Sequence, residues 1–182
     1  MKNQLRIIGG EWKRRVLPFA SVEGLRPTPD RVRETLFNWL MWDVQNAVVL
    51  DICTGSGALG FEALSRGARE LVMIEPDPNQ AAFLKQNMKL LNIQNCKLFL
   101  KPAEAVLPSL TQQFDLVFLD PPYSLNLWHS LAHLADEKIK ANGLIYVEAN
   151  QNLQQLGLPS SWQLIKQTKA GTVQAGLFQK QI

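Results

Sequence analysis

The tetrapeptide Asp120-Pro121-Pro122-Tyr123 directly follows the apolar run Asp115–Leu119. Two prolines after a strand force a stiff, extended turn with no backbone donors of its own. Such a turn holds the Asp120 side chain and the Pro121 carbonyl as two fixed acceptors, and Tyr123 adds a flat aromatic face. Structural turns usually combine one proline with Gly or Asn. An acid, two prolines and an aromatic residue at the C-terminal end of a strand describe a seat for a planar group bearing an –NH2. A second stretch, Val48–Gly60, reads V-V-L-D-I-C-T-G-S-G-A-L-G. An apolar run ends in Asp51, turns through Thr54, Gly55, Ser56 and Gly57, and enters a helix-like pattern. Glycine lets a backbone approach its ligand closely, and a helix start presents unpaired N–H groups, which together receive nucleotide-like ligands in α/β proteins. Glu75, followed by Pro76, ends the next apolar run 20 residues after Gly55, the spacing at which an acid meets ribose hydroxyls. Alone, Glu75 would be an ordinary surface acid; the glycine turn before it favours a ligand role.

The elements that must position these residues follow from periodicity. Leu5–Gly9 and Arg15–Phe19 flank Gly9-Gly10 and predict a hairpin or irregular arm. Pro27 and Pro29 block helix, and Thr28 or Asp30 can cap the helix that follows, with Val32, Leu36, Trp39 and Leu40 on one face and Arg31 and Arg33 mostly off it. Phe61–Arg66 continues a helix that Gly67 ends. Leu71–Glu75, Lys97–Leu100, Asp115–Leu119 and Gly143–Glu148 read as further strands. Between them, Asn79–Leu91 is an amphipathic helix with Ala82, Leu84, Met88 and Leu91 inward, a helix from Ala103 runs through Leu110, and Leu127–Ile139 is helical. There Ala103 and Glu104 can reach an adenine edge or simply form a helix start with an acid in its first turn. Trp162–Thr168 and Thr172–Gln179 close the chain as an antiparallel pair. The fold class is therefore α/β, with a mostly parallel sheet, helices on both faces and an antiparallel C-terminal hairpin. Residues 1–24 form a basic arm and 25–182 a single globular domain.

The chain has 182 residues, 46% apolar and 19% charged, with a net charge of +3. That suffices for one full core. Residues 1–40 carry eight basic groups against four acids, whereas 41–182 carry eleven against twelve. The excess positive charge sits in the N-terminal part, which suits a polyanion or a merely solvated face. Cys53 and Cys96 read as reduced thiols of a cytoplasmic protein. Met1–Gly10 lacks a signal-like apolar stretch and no run is long enough to span a membrane, so neither export nor membrane insertion is expected. His129 and His133 stand four apart, but without an acid or cysteine beside them they read as helix surface rather than a metal site. No surplus apolar stripe argues for more than a monomer.

G-S-G-A-L-G also fits the dinucleotide fingerprint, which keeps a nicotinamide-dependent oxidoreductase in view. Against that, Asp51 puts negative charge near the turn where a pyrophosphate would sit; an acid there suits a ligand bearing an ammonium and a sulfonium. D-P-P-Y has no part in hydride transfer and a clear part in amine alkylation. The exocyclic nitrogen of a base is a poor nucleophile because its lone pair is delocalised. Hydrogen bonds to Asp120 and the Pro121 carbonyl localise it, and positioning with fixed dipoles supplies the rate without a metal or covalent intermediate. The target base must be unpaired or flipped, with Tyr123 stacked on it. DNA adenine or cytosine and RNA guanine all carry such an amine, and a non-catalytic RNA-binding module on the same fold is a further alternative.

Arg6–Leu17, Leu25–Leu40, D-I-C-T-G-S-G-A-L-G-F-E-A-L-S-R-G-A, D-P-P-Y, L-I-Y-V-E and the K-A-G…L-F ending resemble the bacterial small-subunit ribosomal RNA guanine-N2 methyltransferases of the RsmD type. The resemblance implies a Rossmann-like class I methyltransferase with a seven-stranded sheet. It implies S-adenosylmethionine as donor, S-adenosylhomocysteine as product, and as target the N2 amine of one guanine of 16S rRNA in an assembling small subunit. Carried over, Asp51, Thr54, Gly55, Ser56 and Gly57 hold the methionine part of the donor, Glu75 with Pro76 the ribose, and Ala103 and Glu104 the adenine. Thr28 lies near the donor, and Asp120, Pro121, Pro122 and Tyr123 receive the target amine. Arg6, Lys13, Arg14, Arg15, Arg26 and Arg31 face RNA. I-C-T before the glycines and K-P-A-E at the adenine stretch depart from the family's pattern.

Overall fold

In the computed structural model, residues 3–21 and 27–182 are described. Arg26 lies outside them. Strands Gln4–Arg6 (β1) and Val16–Pro18 (β2) form an antiparallel ribbon with Leu5 opposite Leu17, as the apolar runs about Gly9-Gly10 predict. The main sheet comprises Val48–Asp51 (β3), Glu70–Ile74 (β4), Cys96–Phe99 (β5), Phe114–Leu119 (β6), Ile139–Ala149 (β7), Trp162–Ala170 (β8) and Val173–Lys180 (β9). Its order is β5-β4-β3-β6-β7-β9-β8; β9 is antiparallel to β7 and to β8, and the other pairings are parallel. The helices are Asp30–Trp39 (α1), Ala58–Ser65 (α2), Pro78–Leu90 (α3), Ala103–Val106 (α4) and Trp128–Asp136 (α5). Among the described residues, no helix is long and apolar enough to cross a membrane.

Strand residues alternate between two cores, as a sheet covered on both faces requires. Val49, Leu71, Met73, Leu116, Phe118 and Tyr146 pack with α1, α2, α3 and the arm. Leu50, Val72, Ile74, Val117, Leu119, Ile145 and Val147 pack with α4 and α5. By the same alternation, Asp51, Asp120 and Glu148 continue the first face beyond Val49, Phe118 and Tyr146. The sheet reverses direction of winding between β3 and β6, which pair directly with Asp51 opposite Phe118. The acids at the ends of those two strands therefore open into one crevice.

Four expectations of the periodicity fail locally, one of them at the helix expected over 127–139, which ends at Asp136 while Ile139 already opens β7 opposite Phe114. Arg33, expected off the buried face of α1, is only 2% exposed: its guanidinium meets Asp30 at 2.6 Å, Glu62 at 3.5 Å and the Arg6 carbonyl at 3.0 Å, because the arm covers that side of the helix. In α3, Ala81 is buried and Ala82 exposed. The face that turns inward also carries Gln80 and Asn87, whose side chains bond the Ala20 amide and the Pro18 carbonyl of the arm. The helix expected through Leu110 ends at Val106, and Pro108 falls in a tighter 3-10 turn, Leu107–Ser109.

Candidate active site

The arm reaches the site through the helices that begin there. Glu62 of α2 is fully buried and accepts the Ile8 and Gly9 amides at 2.9 Å each, with the Arg66 Nε at 2.8 Å. Ser65 accepts the Trp12 amide and donates to the Gly9 carbonyl. α2 starts at the glycine turn and α3 starts three residues after Glu75, so the arm is fastened to the two helices that leave the ligand loops. Arg6, Lys13, Arg14, Arg15 and Arg31 are all exposed.

The loops at the C-terminal ends of β3, β4 and β6 enclose a cavity of about 650 Å³. Thr28, Asp51, Thr54, Gly55, Ser56, Glu75, Pro76, Ala103, Glu104 and Asp120–Tyr123 all line it. Gly57 is left-handed at φ +86°, and a Cβ there would stand 2.4 Å from the Phe61 ring, so only glycine lets the turn close onto the first residues of α2. Ser56 Oγ accepts the Ala58 amide at that helix start. Thr54 is used structurally: its hydroxyl donates to the Asp51 carbonyl at 3.0 Å and accepts the Ile74 amide at 3.1 Å, tying the ends of β3 and β4 together.

Glu75 does more than end a strand. Its carboxylate accepts the Gly55 amide at 2.8 Å and the Asp77 amide at 2.9 Å, bracing the glycine turn against β4. Burial raises its pKa, the two amides counter that, and Asp77 adds to the rise. Each of its oxygens keeps a second lone pair for a hydroxyl. Asp51 is almost fully buried, and its Oδ2 has no hydrogen-bond partner among the described residues. Burial pushes its carboxyl up to about 7 against the pull of the Gly60 amide, with Glu75 adding to the rise. A buried carboxylate oxygen left without a donor is costly unless a ligand supplies one.

Across the cavity, the Asp120 carboxyl accepts the Thr28 hydroxyl at 3.2 Å. Burial first, then the neighbouring Glu148 carboxyl, holds Asp120 well above the usual carboxylate range. Glu148, at the end of β7, is buried; it accepts the Tyr146 hydroxyl at 2.6 Å and the Tyr123 hydroxyl at 3.1 Å. The Tyr123 ring also leans on Trp128 with centroids 5.9 Å apart, and the Trp128 indole N–H donates to the Glu148 carbonyl. Motif reading from D-P-P-Y alone misses Glu148, Tyr146 and Trp128. The signal for the first two lay in strand parity, since β6 and β7 pair Phe118 with Tyr146. His129 Nδ1 and His133 Nε2 both meet the Gly157 carbonyl, at 2.8 and 2.9 Å, which makes them a staple for the loop before β8. Among the described residues, no group of three His, Cys, Asp or Glu side chains is placed to hold a metal ion.

A seven-stranded sheet with a reversed final hairpin, a glycine turn after its first strand and D-P-P-Y after its fourth define a Rossmann-like class I methyltransferase. Within that class, the family model described as Conserved hypothetical protein 95 matches residues 5–179. The chain is 42% identical to Ribosomal RNA small subunit methyltransferase D of Haemophilus influenzae, over 98% of this chain and 95% of that protein. It is 40% identical to the protein of the same name from Escherichia coli K12, over 98% and 91%. The solved structure of yhhF, a candidate methyltransferase from Escherichia coli, superimposes with a TM-score of 0.90 at 39% identity, covering 98% of this chain and 99% of that one. The chain belongs to this family.

Proposed function

We propose that this protein transfers a methyl group from S-adenosylmethionine to the exocyclic N2 amine of a guanine in 16S rRNA of the small ribosomal subunit. The observation that carries the reading is the facing of two unlike ends of one cleft. At one end a buried Asp51 oxygen and a braced glycine turn await a cationic, ribose-bearing ligand. At the other, the Asp120 carboxyl and the rigid Pro121 carbonyl await a planar amine. The names of the curated relatives support rRNA as the polymer, and the exposed Arg6, Lys13, Arg14, Arg15 and Arg31 supply a cationic surface for its phosphates.

The residues fit the donor. Asp51 takes its ammonium, the Gly55–Gly57 turn holds the methionine part, Glu75 beside Pro76 the ribose hydroxyls, and Ala103 with Glu104 the adenine edge. When bound, S-adenosylmethionine supplies a methyl group on a sulfonium, whose C–S bond breaks with its electrons passing to sulfur. The chain's own residues orient the acceptor. Asp120 and the Pro121 carbonyl each accept one N–H of the guanine amine, which aligns and localises its lone pair. Tyr123, fixed by Glu148 and Trp128, offers its ring to the flipped base. Pro122 removes the backbone donor that would compete for these acceptors. The assembling small subunit, in which the guanine is still accessible, is the proposed substrate, and the enzyme acts in the cytoplasm as a monomer without a metal.

Incubating the protein with labelled S-adenosylmethionine and small subunits lacking the modification, then digesting the rRNA to nucleosides, tests this reading. Label in N2-methylguanosine is expected. Label in adenosine or cytidine products, or in plasmid DNA alone, overturns it.

A further inference from the structure

Asp120 and Glu148 meet because β6 and β7 run parallel in a register that pairs Leu119 with Val147, so the next step sets residue 120 beside residue 148. Both carboxyls lie on the same face of the sheet, and the nearby Glu148 carboxyl adds to burial in holding Asp120 above the usual carboxylate range. Two adjacent carboxylates repel, so a buried pair keeps one proton between its members. The other donors say where the charge lies. Glu148 accepts two hydroxyls, Tyr146 at 2.6 Å and Tyr123 at 3.1 Å. Among the described residues, Asp120 accepts one, from Thr28 at 3.2 Å. Two hydroxyls against one favour the charge on Glu148. Asp51 at the end of β3 is a further acid near Asp120 and acts in the same sense, while burial and the surrounding acids push the Tyr146 hydroxyl and the Cys53 thiol up.

We propose that Asp120 and Glu148 form one proton-sharing unit, with the charge on Glu148 and the shared proton on Asp120, and that Glu148 receives that proton when the methylated amine deprotonates. This rests on the amine-methylation reading above. The neutral Asp120 presents an uncharged acceptor oxygen to the amine. As the N–C bond forms, the nitrogen becomes cationic; its N–H bond breaks with the electron pair staying on nitrogen. That proton goes to the Asp120 oxygen which accepted it, and the proton already held by Asp120 moves to Glu148. The pair ends doubly protonated and returns one proton to solvent as product leaves, so nothing is oxidised or reduced. Glu148 acts through Asp120 and is a positioning residue.

The test begins without donor or RNA. Protein labelled with 13C at aspartate carboxyls is titrated by NMR, with the Asp120 signal assigned by its absence in D120N. In the wild type that signal is expected to titrate far above those of the exposed aspartates. In E148Q it is expected to move down by about one pH unit or more, a tenfold change in the proton equilibrium. The same variant is expected to lose about tenfold or more in kcat with the donor KM within about twofold, because glutamine can still accept the tyrosine hydroxyls and support the Tyr123 ring. An Asp120 signal unmoved in E148Q overturns the pairing, and a shifted signal with unchanged kcat overturns the proton transfer. Should E148Q fail to fold, Y146F and Y123F weaken the charge on Glu148 and must shift the Asp120 signal in the same direction; no shift in either overturns the pairing. A wild type that shows the titration but methylates no rRNA contradicts the amine-methylation reading and leaves the pair intact.

Discussion

The buried Asp51 carboxyl makes the ligand-free protein less stable than its fold allows, and Asp51→Asn measures by how much. In the unfolded chain this group ionises near 3.8, and in the fold near 7. The fold therefore binds a proton that the unfolded chain has released throughout that window, and stability falls as pH rises from about 4 to about 7. At about 1.4 kcal/mol per pH unit, the loss is complete above pH 7 and amounts to about 4 kcal/mol as an upper limit. Asparagine keeps the shape and still accepts the Gly60 amide, but does not ionise. Its advantage over the wild type should grow by about 3 kcal/mol between pH 5 and pH 8, the part of the window those pH values span. For a chain of this size 1 kcal/mol corresponds to roughly 2–4 °C in Tm, so the gap between the two melting curves should widen by roughly 6–12 °C. Urea denaturation of both proteins at the two pH values reads it directly. The same variant should bind S-adenosylmethionine more weakly, since the ammonium loses its counter-charge, so the stabilised protein is the poorer enzyme. Parallel pH dependences for the two proteins would refute the claim that Asp51 is held in the fold at a cost met only by ligand.

Other perturbations probe the supports of the site. Glu62→Ala strips a buried carboxylate from the Ile8 and Gly9 amides and from Arg33 and Arg66; a loss of about 3–5 kcal/mol is expected, read as a lower urea midpoint with faster amide exchange in the arm. Gly57→Ala places a Cβ against Phe61 at a left-handed φ and should cost about 1–3 kcal/mol while weakening donor binding by calorimetry. Removing Lys13, Arg14 and Arg15 together should weaken RNA binding and flatten the plot of log K against log salt by about 3; an unchanged slope removes those residues from the RNA surface.

Much of this arrangement was readable in the chain because it rests on local chemistry. Asp51, Glu75 and Asp120 each close a run of apolar residues, and each stands at the end of its strand in the structure or directly after it. Glycines and prolines fixed the turns around them for backbone reasons that do not depend on tertiary context. What stayed hidden depends on which element covers which. Arg33 looks like a surface residue on a helical wheel until the arm is laid over α1. Gln80 and Asn87 look like exposed polar positions until β2 crosses α3. Glu148 reads as the last residue of a buried strand, and only the β6–β7 register sets it against Asp120. Glu75 was legible as the acid that closes the second strand, but its grip on the Gly55 amide is a long-range contact that no spacing announces.

The central claim is that the Asp120 and Pro121 acceptors aim a guanine amine at an activated methyl group. Its most direct test is transfer of labelled methyl from S-adenosylmethionine to unmodified small subunits by wild type and by Asp120→Ala, with the product nucleoside identified by mass spectrometry. N2-methylguanosine is expected from the wild type, and from the variant a rate lower by about 10²–10³ with the fold and donor binding retained. Comparable rates from the two proteins, or a methylated product other than N2-methylguanosine, would contradict it.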